Sequence, residues 1–149
     1  MARNAKGLKT LIRLSKFEVD EKRRVLTALQ NQEERILHDI AASEMRLRQE
    51  QELAAADATG VGFLYGAYHR AWMERRQAML GALQAVRQQI EAARDDLAEA
   101  FRTQKTYEVT QANRERRERE EANHKEQLFL DEVGMTQHRR KGNPERSGQ

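Results

Sequence analysis

Residues 54–62 read AAADATGVG, and the fold turns on this run. Gly60 and Gly62 are poor helix formers, while Asp57 and Thr59 are capping types. On either side lies a long stretch of seven-residue periodicity. Before the run, the a positions are Ala5, Ile12, Val19, Leu26, Glu33, Ile40, Leu47 and Ala54, and the d positions are Leu8, Ser15, Lys22, Leu29, Ile36, Ser43 and Glu50. After it, Tyr65, Trp72, Met79, Val86, Ala93, Ala100 and Tyr107 take d, with His69, Arg76, Leu83, Ile90, Leu97 and Gln104 at a. Sustained heptads with charged flanks are the pattern of a coiled coil. Two such frames joined by a breaker predict an all-α fold, an antiparallel two-helix hairpin. Its helix 1 covers about 5–55, its turn about 56–62 and its longer helix 2 about 63–134.

In an antiparallel pair, a faces d and the numbers of facing residues have a constant total. The two frames allow 112, 119 or 126, and 119 centres the turn between Thr59 and Gly60. That register pairs Ile12 with Tyr107, Leu26 with Ala93, Leu29 with Ile90, Ile36 with Leu83, Ile40 with Met79, and Leu47 with Trp72. Together with Val19, Val86 and Leu97, these residues form the expected seam.

The same register has Leu8 facing Gln111, so helix 2 outruns helix 1 beyond about residue 114. There the sequence becomes RERREREEANHKEQLFLDEVG (114–134), whose first eight residues are all charged. Arg114–Glu118, Glu115–Arg119, Arg116–Glu120 and Arg117–Glu121 are opposite charges at i, i+4, each worth about 0.2–0.5 kcal/mol to a helix without a partner. At about 1.5 Å per residue, helix 2 would span about 110 Å against about 75 Å for helix 1. Gly134 is the expected C-terminal stop, and 138–149 the expected disordered basic tail.

Composition agrees with long helices. Of the 149 residues, 34% are charged and only 5% aromatic, too few for a compact globule of that length. Cysteine is absent, which excludes disulfides, zinc-thiolate sites and thiol catalysis and suits a reducing compartment. The N-terminus is basic, but Arg13 breaks its apolar run, so no signal peptide is expected, and no run is apolar enough to insert directly in a membrane. Residues 1–24 carry eight Lys/Arg against three acids, and 138–149 four against one. Basic ends suit an acidic protein surface, an anionic membrane or nucleic acid, or are simply solvated.

Catalytic and metal patterns are weak. TGVG lacks the Lys-Ser/Thr and the preceding strand of a phosphate loop. Glu121 and His124 have Glu-x-x-His spacing, but a di-metal bundle needs further carboxylates from partner helices. Glu34 and His38 share a face at i, i+4 without other ligands, and Asp95-Asp96 lies off the seam. No catalytic residue, metal or cofactor is expected. Two apolar patches stand out instead. FLYGAYHRAWMERR (63–76) gathers Phe63, Tyr65, Tyr68 and Trp72 with Arg70, Arg75 and Arg76, a composition shared by interface hot spots and by a plugged hairpin tip. Leu128, Phe129, Leu130 and Val133 lie on the overhang, where helix 1 does not reach.

LKTLIRLSKFEVDEKRRVLTALQ near the start, YGAYHRAWMERRQAM after the turn, and the closing FRTQKTYEVTQANRERRERE and KEQLFLDEVG together resemble the FliJ family. These are small coiled-coil components of the bacterial flagellar type III export apparatus. The resemblance extends from Leu8 to about Val133. It implies an antiparallel two-helix coiled coil similar to the central stalk subunit of rotary ATP synthases, without a reaction of its own. It also implies three partners: the hexameric flagellar export ATPase, the transmembrane export gate protein and export chaperones. The implied location is the cytoplasm, peripheral at the inner membrane. The family's gate contact is an apolar residue followed by others four and seven positions on; these fall on Tyr68, Trp72 and Arg75, where Arg75 replaces a small residue. The implied ATPase-ring or chaperone contacts lie in 1–16 and 114–135, at Leu8, Leu11, Leu128, Phe129, Leu130 and Val133.

Two other readings remain open from the residues. One is a generic helical adaptor, or a chaperone of another type III secretion system. The other is a nucleic-acid-binding coiled coil, prompted by Arg3, Lys6, Lys9, Arg13, Lys16, Lys22, Arg23 and Arg24. A basic zipper, however, needs an unbroken parallel heptad run, which Gly60 and Gly62 interrupt.

Overall fold

A computed structural model of the chain describes residues 2–56 and 62–142, with side chains from Lys6 and, in the second helix, from Leu64. The turn residues Asp57, Thr59 and Gly60 and the side chain of Phe63 lie outside that description. Helix α1 is Ala2–Ala56, 55 residues, and helix α2 is Gly62–Lys141, 80 residues, with no strand among the described residues. Helices of this length without internal proline are what Ala-, Glu-, Leu-, Arg- and Gln-rich sequence favours.

The chain divides into two compact units. One contains the residues up to Ile12 together with those from Lys105 onward; the other is Arg13–Gln104. In the Arg13–Gln104 unit the two helices run antiparallel. Arg87 Nε reaches Glu33 Oε2 at 3.5 Å and Arg76 Nη2 reaches Glu44 Oε1 at 3.5 Å, so α1 numbers rise as α2 numbers fall. Each ion pair sits one residue from a pairing expected at a total of 119, Glu33 with Val86 and Ser43 with Arg76. A seven-residue slip would separate these partners by about 10 Å.

Within this unit Ser15, Val19, Leu83, Val86, Ile90, Ala93 and Ala100 are buried. Leu26, Leu29, Ile36, Ile40, Leu47, Met79 and Leu97 are half-buried. Half-burial follows from the architecture, because two helices alone leave each seam residue open at its flanks. Leu8 and Ile12 are buried in the other unit, where Tyr107 and Gln111 are half-buried.

From Ala112 to Gly142 every residue is exposed. Of the four ion pairs expected there, Arg116–Glu120 closes at 3.9 Å, while Arg119 Nε donates to the backbone oxygen of Glu115 at 3.4 Å.

The end of α2 differs from the sequence expectation. Gly134 does not stop the helix, and residues 138–141, read above as the start of a disordered tail, form its last turn. A lone glycine costs a helix only about 1 kcal/mol, and the last turn carries His138, Arg139, Arg140 and Lys141, whose charges oppose the negative end of the helix dipole. Gly142 N still donates to His138 O at 2.9 Å, so the backbone ladder of α2 continues well past Gly134.

Candidate functional site

The aromatic residues of α2 are arranged by their spacing. Tyr65, His69 and Trp72 fall on one face, with Tyr65–His69 and His69–Trp72 ring centroids both 5.9 Å apart. Trp72 is too large to lie wholly within a two-helix seam. It crosses to α1, where the small side chain of Ser43 leaves the helix backbone approachable, and its Nε1–H donates to Ser43 O at 3.1 Å. That carbonyl has a second lone pair beyond its use in the helix ladder. The Arg76 guanidinium lies over the indole, 5.7 Å from the ring centroid. Its outer end meets Glu44, while its Nε is buried and without a hydrogen-bond partner.

These contacts leave a groove of about 430 Å³ beside Trp72. Its walls are Asp39, Ser43 and Arg46 of α1 and Tyr68, Trp72, Arg75, Ala78 and Met79 of α2. Tyr68, Trp72 and Arg75 therefore line one groove; Tyr68 and Trp72 are half-buried and Arg75 is exposed. Tyr68 also lines a neighbouring depression with Leu53 and Leu64, both about two-thirds exposed. The α1 wall was not picked out from sequence, although a pairing of Leu47 with Trp72 places Arg46 beside that tryptophan.

A second apolar surface lies on the last turns of α2. Leu128, Phe129, Leu130 and Val133 are all exposed, Phe129 at 64%, and Met135 adds a fifth residue at 62%. Leu11 is exposed as well. Leu8 is buried at 9% and serves the core of its unit.

Among the described residues no cluster of three or more His, Cys, Asp or Glu is arranged to hold a metal, and no helix is long and apolar enough to cross a membrane. Some basic residues of α1 are already engaged. Arg24 pairs with Glu21 at 2.7 Å, and Arg23 lies 5.0 Å from the centroid of the Phe101 ring.

The groove beside Trp72 lies open on the two helices, walled by the aromatic residues Tyr68 and Trp72 and the arginines Arg46 and Arg75. The family model described as Flagellar FliJ protein matches residues 5–143, nearly the whole chain. The chain belongs to the FliJ family. By that membership the chain is a protein of flagellar export. Neither the curated proteins nor the solved structures give a match.

Proposed function

We propose that this FliJ protein couples the hexameric export ATPase to the transmembrane export gate and handles export chaperones, working at the cytoplasmic face of the inner membrane. The observation that carries the proposal is the family match over 5–143, and two surfaces of the chain suit its partners. One is the groove around Trp72, which suits the gate. The other is the exposed stretch Leu128–Val133, which with Leu11 suits the ATPase ring or a chaperone.

The chemistry required is binding and positioning. Exposed aromatic and aliphatic side chains supply contact area, and neighbouring arginines supply direction. Around Trp72, packing of the two helices holds the groove side chains in place and lowers the ordering cost of binding. Trp72 acts mainly as a positioning residue: its hydrogen bond to Ser43 fixes the groove floor, and Tyr68 and Arg75 offer the contact. Capture of purified gate cytoplasmic domain and of purified export ATPase, each by the full chain, tests the division. Arg75→Glu is expected to weaken gate capture alone, and Phe129→Ser ATPase capture alone. Loss of both with either variant would contradict separate surfaces.

A further inference from the structure

The rim of the Trp72 groove carries unused charge. Arg46 and Asp39 stand on α1 seven residues apart, about 10.5 Å along the helix. Among the described residues neither makes an ion pair, and neither does Arg75 on the opposite wall. Between them lies an apolar floor of Trp72 and Met79.

The last turns of α2 present the complement. The heptad frame lost in the charged segment resumes at Leu128 and Met135, which continue the d positions, and both are more than half exposed. Glu132 lies between them on the same face, at i+4 from Leu128, and Arg139 follows it by seven residues, again about 10.5 Å. In chain order the rim (Asp39, Arg46) and the stripe (Glu132, Arg139) both run negative then positive at one heptad spacing, so opposite charges meet when the two run antiparallel. Glu132 and Arg139 make no ion pair among the described residues.

We propose that the groove binds the stripe of a second copy of this chain. Leu128 and Met135 of that copy lie on the apolar floor, and its Glu132 and Arg139 pair with Arg46 and Asp39. The result is a local three-helix packing in which the third helix runs antiparallel to α1, its Glu132 and Arg139 at a positions alternating with Leu128 and Met135 at d and meeting the charges of the α1 rim. The consequence rests on the proposed function: self-association covers both the gate groove and part of the ATPase-facing stretch, so export partners displace it.

Sedimentation velocity of the full chain alone, at micromolar to submillimolar concentration, tests this apart from any export partner. The mass is expected to rise above 17.3 kDa with concentration. Reversing the rim (Arg46→Glu with Asp39→Arg) or the stripe (Glu132→Arg with Arg139→Glu) should each weaken association about tenfold or more, because like charges then meet. Carrying both reversals on one chain should restore it. These residues are exposed and unpaired, so helicity by circular dichroism should change by no more than fraying of the last α2 turn, where Arg139 opposes the helix dipole. As a second readout, Leu128→Ser with Met135→Ser should also abolish the mass increase. A wild-type mass fixed at that of one chain, or association indifferent to the reversals, or no recovery in the combined variant, would overturn the proposal.

Discussion

Trp72 and Ser43, 29 residues apart in sequence, are joined by an indole Nε1–H bond to the Ser43 backbone oxygen at 3.1 Å. This bond ties the floor of the groove to α1 and explains how a residue half open to solvent also serves packing. Trp72→Phe keeps an aromatic ring and loses the bond, at an expected cost of about 1 kcal/mol. Trp72→Ala also loses the packing and should cost about 2 kcal/mol, below the usual range for a fully buried tryptophan. Urea unfolding followed by circular dichroism checks both. Equal stability of the alanine variant and the native chain would show that the bond and the packing contribute nothing.

Arg76 occupies a seam position, its Nε buried without a partner and its outer end paired with Glu44 at 3.5 Å. A half-exposed ion pair at that distance contributes little, at most about 1 kcal/mol, whereas a buried unpartnered donor costs about 1–3 kcal/mol. Arg76→Leu is therefore expected to raise stability by about 1 kcal/mol in the same unfolding experiment. A loss of more than about 1 kcal/mol would mean that the Glu44 pair and the Trp72 ring contact outweigh the burial of Nε.

The register is open to a covalent test. Cysteines at Leu26 and Ala93 should oxidise to an intramolecular disulfide, because facing seam positions bring Cα atoms within the required range. Leu26→Cys paired with Val86→Cys or with Ala100→Cys should not, as these match totals of 112 and 126. Efficient bridging in either control, with none at Ala93, would displace the pairing by a heptad.

Much of this architecture was legible in the sequence because coiled-coil packing is periodic. The seven-residue repeat places Val19, Leu83, Val86 and Ile90 at inward positions, and they are buried. The constant total of facing numbers anticipates the Glu33–Arg87 and Glu44–Arg76 contacts to within a residue. The end of α2 was not legible, because a single glycine such as Gly134 weakens a helix without ending it when good helix formers and a basic last turn follow. The groove was half legible. Aromatic clustering pointed to Tyr68 and Trp72, but Arg46 and Asp39 enter only when the second helix is laid beside the first. Leu8 illustrates the reverse case: the family resemblance implied a partner contact there, while its d position points inward, and it is buried.

The exposed stretch at 128–133 should matter for binding and very little for stability. Phe129→Ser is expected to change unfolding free energy by less than about 0.5 kcal/mol, as is usual for an exposed site away from packing. A destabilisation above about 1 kcal/mol would mean that Phe129 is covered in solution, and a self-associated state would then have to be dissociated before the comparison is repeated.

The most direct test of the proposed coupling is the stoichiometry of the full chain on the assembled export ATPase hexamer, read as mass in solution. One chain per hexamer is predicted, as for an axle entering a ring, with binding lost when Leu128, Phe129 and Leu130 are changed to Ser. Six chains per hexamer, or binding that survives the triple substitution, would contradict it.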